Sequence, residues 1–249
     1  MRIVIIGGGA AGATAAQFAR KQSRDVEIIV FESSRHPQYS KCGLPYVLSG
    51  EISDFQDLIE FSEEWFQRNR IELCLGSSVT EIDLDDKNVK IAGGCGDKTI
   101  NFDSLIFATG ATPTVPKIDG ILRDGALLDR VFRFRDMDNA KALKDWCSEE
   151  KRRILIVGAG LVGLEVAEAL RSNGHSVQIV EFLDSALPTM IDPDMAQLLE
   201  QEISKNNVSL KTSAYLESVR PNDEGLIVKI VSRKDGSLEE SVVDTIVLA

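Results

Sequence analysis

A segment that reads strand, glycine-rich turn, helix and strand occurs twice in this chain, and this repetition limits the folds that it can adopt. The first copy begins at Arg2 and reads RIVIIGGGAAGATAAQFAR, followed by VEIIVFE. The second copy begins at Arg153 and reads RILIVGAGLVGLEVAEALR, followed by VQIVEF. Each opening apolar run is typical of a buried parallel strand, and small and apolar residues at helical spacing come after it. The chain is therefore predicted to be an α/β protein.

The two halves stay similar beyond these segments. RNRIELCLGSSVTEIDLDDKNVKI in the first half has the same layout as KNNVSLKTSAYLESVRPNDEGLIVKI in the second. Each predicts a helix end, a strand and then an antiparallel meander. The halves close on similar strands, DSLIFATG and VDTIVLA. The second strand stops at Ala249, the counterpart of Ala108, one step before its glycine turn. We therefore expect the chain to be a fragment that is truncated at its C-terminal end.

Charge and composition exclude several classes of partner. The chain of 249 residues carries a formal net charge of -11, which would repel nucleic acid and anionic membrane surfaces. The N-terminal apolar run is too short and too rich in glycine for a signal peptide, and no apolar stretch is long enough to span a membrane. We expect a cytoplasmic protein that binds neither nucleic acid nor membrane.

The cysteines and histidines show no metal-binding pattern. No cysteine has the C-x-x-C or C-x-x-H spacing of a zinc site, so no bound metal is expected. Nothing resembles a disulfide framework, which fits a reducing compartment. Cys74, within IELCL, is expected to be buried filler, and Cys95 and Cys147 have no chemical context. His36 and His175 lie in or beside loops and are expected at the surface.

The glycines of the first copy have the spacing G-x-G-x-x-G, at Gly7, Gly9 and Gly12. The first glycine allows a tight turn, the second lets a pyrophosphate approach the backbone, and the third lets helix and strand pack closely. A bound phosphate would meet free N–H groups at the helix N-terminus. Glu32 ends the next strand, where a carboxylate can hold the ribose hydroxyls of an adenosine. The alternative is a glycine-rich turn that binds nothing.

The second copy repeats this spacing and its acid, at Gly158, Gly160, Gly163 and Glu181. Two such motifs in register predict two dinucleotide sites. Glu181 is followed by Phe182 and Leu183, with no nearby arginine or lysine to meet a 2′-phosphate. Because a carboxylate would repel that phosphate, we expect NADH in preference to NADPH. The alternative role for Glu181 is to cap its strand.

On these motifs the chain resembles the flavin-dependent pyridine nucleotide–disulfide oxidoreductases. It is most similar to their single-cysteine branch, which contains coenzyme A-disulfide reductases, NADH oxidases and polysulfide reductases. The resemblance implies two Rossmann-like domains, for FAD and for NAD(P), with three-layer ββα architecture and antiparallel meanders. The first FAD segment would span residues 1–112 and the NAD(P)H domain residues 113–249. The final FAD segment and the dimerisation domain would be absent. The full-length form would be a homodimer.

The resemblance assigns roles residue by residue. The residues around the FAD pyrophosphate would be Gly7, Gly9, Ala10, Ala11 and Gly12. Further FAD contacts would come from Glu32, from the backbone of Val79 at the adenine, and from Ala108, Thr109 and Gly110. NADH would be held by Gly158, Gly160, Leu161, Val162, Gly163 and Glu181.

Cys42, in YSKCGLPY, matches the redox cysteine of the family. Members with two redox cysteines carry C-x-x-x-x-C, and here the fifth residue on is Val47. A single thiolate would form a mixed disulfide with a small thiol or cycle through a sulfenic acid. Lys41 and the N-terminus of a helix after the Gly43 turn would favour that thiolate. The alternative is a small apolar residue at a turn.

Two departures from the family bear on the substrate. The first glycine loop reads GGGAAG, where peroxidase and many oxidase members carry a histidine. This disfavours peroxide reduction and, less strongly, the reduction of oxygen to water. Many coenzyme A-disulfide reductases carry serine four residues before the cysteine, where this chain has Gln38, and Ser40 lies closer.

Three functions stay open from the sequence. The first is an NADH-dependent disulfide reductase that acts on a small disulfide, such as coenzyme A disulfide or polysulfide, through FAD and Cys42. The second is an NADH oxidase or a flavoprotein electron-transfer reductase, with oxygen or a small redox protein as acceptor and Cys42 incidental. The third is a nucleotide-binding fragment without turnover.

Overall fold

The computed structural model describes residues 1 to 249, and they form two compact units. The first unit contains Met1–Lys41 and Gln56–Thr112. The second contains Cys42–Phe55 and Pro113–Ala249. The segment that carries Cys42 therefore belongs to the second unit, although it lies within the first 112 residues of the chain.

Two copies of the same strand and helix pattern account for most of the secondary structure. The elements up to Thr112 are β1 (Arg2–Ile6), α1 (Ala10–Gln22), β2 (Glu27–Phe31), β3 (Gln38–Tyr39), α2 (Leu44–Ser49), β4 (Ile59–Phe61), α3 (Glu63–Arg68), β5 (Glu72–Cys74), β6 (Ser77–Asp83), β7 (Asn88–Gly93), β8 (Lys98–Asn101) and β9 (Ser104–Phe107). Those after it are β10 (Leu122–Arg123), β11 (Ala126–Leu127), β12 (Val131–Arg133), α4 (Met137–Ser148), β13 (Arg153–Val157), α5 (Leu161–Ser172), β14 (Ser176–Val180), α6 (Pro193–Lys205), β15 (Ser209–Lys211), β16 (Ala214–Asn222), β17 (Gly225–Ser232), β18 (Leu238–Val243) and β19 (Thr245–Leu248).

The first unit has three layers around a four-stranded parallel sheet of order β5-β2-β1-β9. Successive residues of β1 point to opposite faces of that sheet. Ile5 packs in a cluster with Ala13 and Ala16 of α1, whereas Val4 packs with Val89 and other residues of the antiparallel meander β6-β7-β8. Both faces are covered, which explains why the strands read as continuous apolar runs.

The second unit repeats this plan with one strand more. Its parallel sheet has the order β12-β19-β13-β14-β15, and a meander β16-β17-β18 packs on it. Leu155 of β13 and Ile246 of β19 join the same core cluster as Leu216 and Val228 of the meander. The predicted α/β class, the two Rossmann-like units and the antiparallel meanders are confirmed.

The expectation that His175 lies at the surface is wrong. The residue is only 2% exposed, and its Nδ1 accepts a hydrogen bond of 3.1 Å from the Arg152 backbone N–H, a contact that holds the side chain in the interior. Burial, and then the charges of Lys151 and Arg152, lower the pKa of His175. His36 is half-buried, and its ring lies edge-on to that of Tyr39.

No helix among α1 to α6 combines the length and the apolar character that crossing a bilayer requires.

Candidate functional site

The first glycine loop joins β1 to α1 and is built so tightly that two of its positions accept only glycine. Gly7 has a φ of 103°, and a Cβ there would lie 2.1 Å from the Ala108 carbonyl oxygen. A Cβ on Gly12 would lie 1.8 Å from the Gly7 carbonyl oxygen. At Gly9, by contrast, an added Cβ meets nothing within 4 Å. The first and third glycines therefore serve packing, and the second faces open space.

The second loop, between β13 and α5, has the same geometry. Gly158 has a φ of 113°, and a Cβ there would lie 2.6 Å from the Ala249 carbonyl oxygen. A Cβ on Gly163 would lie 2.1 Å from the Gly158 carbonyl oxygen. Gly160 again has nothing within 4 Å of an added Cβ. The sequence repeat is therefore also a repeat of local structure.

The helix N-termini beside the open glycines are free of side-chain caps. Gly9 and Gly160 are the N-caps of α1 and α5, and neither helix has an acidic residue in its first turn. The first helical residues are exposed, namely Ala10, Ala11, Leu161 and Val162. Backbone N–H groups at such an end attract phosphate. Both loops therefore fit a dinucleotide pyrophosphate.

Glu32 stands beside the first loop, at the end of β2. Its Oε2 accepts a hydrogen bond of 2.6 Å from the Gly8 N–H, and its Oε1 accepts one of 2.8 Å from the Ser34 N–H. The carboxylate thus connects the glycine loop to the turn that follows β2. Because a carboxylate offers about four acceptor positions, these two bonds leave capacity for ribose hydroxyls.

Glu181 repeats this arrangement in the second unit. It accepts hydrogen bonds from the N–H groups of Ala159, at 2.7 Å, and of Leu183, at 2.8 Å. The side chain is buried, with 8% of its surface exposed. The capping alternative raised for Glu181 is thus present in the structure, and it is compatible with binding of a ribose through the remaining acceptor positions.

The other residues with an expected FAD role lie in the first unit. Ala108 follows β9, and its N–H donates to the Ile6 carbonyl oxygen at 2.8 Å, which places the ATG turn against the glycine loop. Thr109 and Gly110 are exposed. Val79 is half-buried near the start of β6 and pairs with Ile91. Ala108 therefore lies beside the first glycine loop, so close that a Cβ added to Gly7 would collide with its carbonyl oxygen.

Cys42 is exposed and lies in a single 3-10 turn, Lys41–Gly43, directly before α2. The prediction of a turn that leads into a helix is confirmed at this point, with Gly43 as the N-cap and Pro45 in the first turn. Val47, at the position of a second redox cysteine in other sequences, is fully buried. A solvent-accessible thiol with no thiol partner on its own helix suits reaction with an external molecule.

Helix α2 is anchored within the second unit by contacts that the sequence does not reveal. It packs against α4 and α5. Lys144 Nζ donates to the Val47 carbonyl oxygen at 2.7 Å, and Asn173 Nδ2 donates to the Leu48 carbonyl oxygen at 2.8 Å. Both bonds satisfy carbonyl oxygens at the C-terminal end of a short helix, where the helix itself offers no N–H donor for them. Cys42 is therefore positioned by the helices that flank β13.

Comparison with known proteins decides the family. The family model described as pyridine nucleotide-disulphide oxidoreductase matches residues 1–249. The chain belongs to this family. Members depend on FAD and NAD(P).

Three similar proteins illustrate the range of this oxidoreductase family. An NADH oxidase of Methanocaldococcus jannaschii is 36% identical and is matched over 100% of this chain and 54% of its own length. The structure of an NAD-dependent persulfide reductase from A. fulgidus superposes with a TM-score of 0.91 and 32% identity, over 100% of this chain and 45% of that one. The water-forming NADH oxidase from Lactobacillus brevis, bound to NADH, superposes with a TM-score of 0.91 and 29% identity, over 100% and 53%. The chain thus spans about half the length of the relatives it matches.

One cation close to Phe182 is not evident from the sequence. The Arg233 guanidinium lies 4.0 Å from the centroid of the Phe182 ring and donates to the Phe182 carbonyl oxygen at 2.8 Å. The statement that Glu181 has no nearby arginine is therefore wrong in three dimensions. Because Arg233 follows β17 and is 51 residues from Phe182 in the chain, only the meander's fold brings them together.

Proposed function

We propose that the protein is an FAD-dependent NADH:disulfide oxidoreductase that reduces a small disulfide through Cys42. The observation that carries the proposal is the exposed Cys42 thiol, held before α2 in a chain with two glycine loops that each leave the second glycine open. Bound FAD would accept hydride from NADH and pass electrons on. Residues 1–112 are the proposed FAD-binding segment and residues 113–249 the proposed NADH-binding domain, with the residues assigned above.

The contribution of Cys42 follows from thiol chemistry. Its thiolate attacks one sulfur of the substrate disulfide, and the other half leaves as a thiol after it takes up a proton. The resulting mixed disulfide on Cys42 then needs two electrons to release the second thiol. Coenzyme A disulfide and polysulfide are the substrates we propose, and the persulfide reductase among the similar structures supports this choice.

Direct oxidation of NADH by oxygen is the second candidate, because the M. jannaschii protein is named an NADH oxidase at 36% identity. The two functions separate in one assay of the FAD-loaded protein. If disulfide reduction is the function, anaerobic NADH consumption should depend on added coenzyme A disulfide and release two thiols per NADH. If NADH consumption requires oxygen and does not change when the disulfide is added, the proposal is wrong and the oxidase function is favoured.

The coenzyme preference can be tested by binding alone. Glu181→Gln removes the charge that repels a 2′-phosphate. Its carbonyl oxygen can still accept from the Ala159 N–H, whereas the Leu183 N–H loses its side-chain acceptor. We expect the ratio of Kd values, NADPH to NADH, to fall about tenfold, equivalent to ~1.4 kcal/mol. Fluorescence titration of each nucleotide measures this ratio.

The matched control for this change is the double variant with Arg233→Met. The Arg233 guanidinium donates to the Phe182 carbonyl oxygen, so it should supply part of the attraction for a 2′-phosphate once the Glu181 charge is gone. Loss of most of the gain in the double variant is expected. An unchanged ratio in Glu181→Gln would show that this acid does not set the preference.

A further inference from the structure

Cys74 and Cys95, which have no assigned chemistry, lie side by side in the first unit. Cys74 is the last residue of β5, and Cys95 lies in the turn between β7 and β8. Cys74 Sγ donates a hydrogen bond of 3.6 Å to Glu72 Oε1, on the face of β5 that the meander covers. The side chain of Cys95 lies close enough to raise the pKa of Cys74. The sequence gives no sign that these two residues are neighbours, because they belong to different elements of the fold.

Backbone contacts hold the two cysteine-bearing segments together. The Gly94 N–H donates to the Gly76 carbonyl oxygen at 2.9 Å, and the Cys95 N–H donates to Ser77 Oγ at 3.0 Å. A Cβ added to Gly94 would lie 2.3 Å from the Leu75 carbonyl oxygen. The turn that carries Cys95 is therefore fixed against the residues that directly follow Cys74, so the two cysteines are held near each other by the backbone.

The two thiols differ in their access to solvent. Cys95 is exposed, whereas Cys74 has 0% of its surface exposed. Burial raises the pKa of Cys74 to about 12, with the side chain of Cys95 and the charge of Glu72 acting in the same direction and Lys98 opposing them. Because the thiolate is the nucleophile, Cys95 is the thiol that an external reagent reaches first.

We propose that Cys74 and Cys95 form a second redox-active thiol pair, which is oxidised to an intramolecular disulfide by low-molecular-weight disulfides. Cys95 attacks one sulfur of the reagent and displaces its other half as a thiol. Cys74 then attacks the Cys95 sulfur and displaces the second half, with a proton for each thiol supplied by the cysteine that reacts. In sum, two cysteine thiols and one small disulfide give one protein disulfide and two small thiols.

This reaction is independent of the proposed function, because it needs neither NADH nor Cys42. A disulfide formed in a reducing compartment is usually transient and redox-sensing rather than structural. The bond would join the end of β5 to the β7–β8 turn, so oxidation would lock the meander to the edge of the parallel sheet.

The test uses the Cys42→Ser protein without NADH, treated with 2-hydroxyethyl disulfide and analysed by intact mass and peptide mapping. We expect the loss of two hydrogen atoms, a peptide that links Cys74 to Cys95, and reversal by dithiothreitol. Cys147 is the internal control, because it is buried on α4 and burial raises its pKa to about 11. It should stay unmodified.

Two further variants separate the steps. In Cys74→Ala the second step is impossible, so the mixed disulfide on Cys95 should accumulate at least about tenfold over its level in the parent. In Cys95→Ser, Cys74 should stay as unreactive as Cys147. A parent protein that carries only the mixed disulfide on Cys95, or a Cys74 that reacts without Cys95, would overturn the proposal. The peptide map of the parent decides the question even if Cys74→Ala fails to fold.

Discussion

Replacement of Cys42 by serine should reduce the kcat for NADH-driven disulfide reduction by about 1,000-fold, equivalent to ~4 kcal/mol of lost transition-state stabilisation. The serine hydroxyl is of similar size but does not ionise near neutral pH, and its oxygen forms no stable bond to a substrate sulfur. Thiol release from coenzyme A disulfide by the FAD-loaded protein under anaerobic conditions measures the effect.

The matched control for this change is Cys147→Ser, which removes a buried thiol and should leave kcat within about twofold when the variant is folded. The rate at which NADH reduces the flavin should also stay close to that of the parent in Cys42→Ser, because the second glycine loop is untouched. Disulfide reduction that continues at the parent rate in Cys42→Ser would refute the proposed function. Unchanged oxygen consumption in the same variant would instead favour the oxidase.

Gly12→Ala should destabilise the first unit by at least ~3 kcal/mol, since overpacking on that scale forces the backbone to move. Its Cβ would lie 1.8 Å from the Gly7 carbonyl oxygen, which belongs to the loop itself and cannot rotate away. Such a loss is a large part of the stability of a typical domain. Urea unfolding, monitored by circular dichroism, gives the change in the free energy of unfolding.

The control is Gly9→Ala, three residues earlier in the same loop. Gly9 has a φ of -69° and a ψ of -169°, which alanine also adopts, and its Cβ would meet nothing within 4 Å. The free energy of unfolding should therefore change by less than ~0.5 kcal/mol, whereas the Kd for FAD should increase at least about tenfold because the methyl group occupies the approach to the backbone. Tight FAD binding by Gly9→Ala would show that the pyrophosphate lies elsewhere.

Much of the fold follows from local patterns. Continuous apolar strands, glycine turns and small-residue helices identify both parallel sheets, because each strand is buried on two faces. The alternation of Val4 and Ile5 between meander and helix shows why neither face can be polar. The additional strand β12 is not evident, since three residues, Val131–Arg133, carry too little pattern to be distinguished from a loop.

The candidate sites divide in the same way. The glycines and the two acids are found from sequence, because their spacing is local and their roles depend on backbone geometry. The Arg233–Phe182 contact and the Cys74–Cys95 pair are not found, because each joins elements that only the tertiary fold brings together. The burial of His175 is not evident from the sequence for a related reason, because its hydrogen-bond donor, the Arg152 N–H, is 23 residues away in the chain.

The attachment of Cys42–Phe55 to the second unit has a consequence for the order in which the chain folds and for recombination between its two units. Val47 is synthesised 97 residues before Lys144, and Leu48 is synthesised 125 residues before Asn173, which are their side-chain partners. Helix α2 is therefore synthesised before α4 and α5, so its apolar side chains stay exposed until those two helices have formed. A hybrid that exchanges Pro113–Ala249 for the corresponding part of a relative would replace Lys144 and Asn173, and would change the support of α2 while residues 1–112 stay the same. Recombination at Thr112 would thus separate Cys42 from Lys144 and Asn173, which hold α2 in this chain.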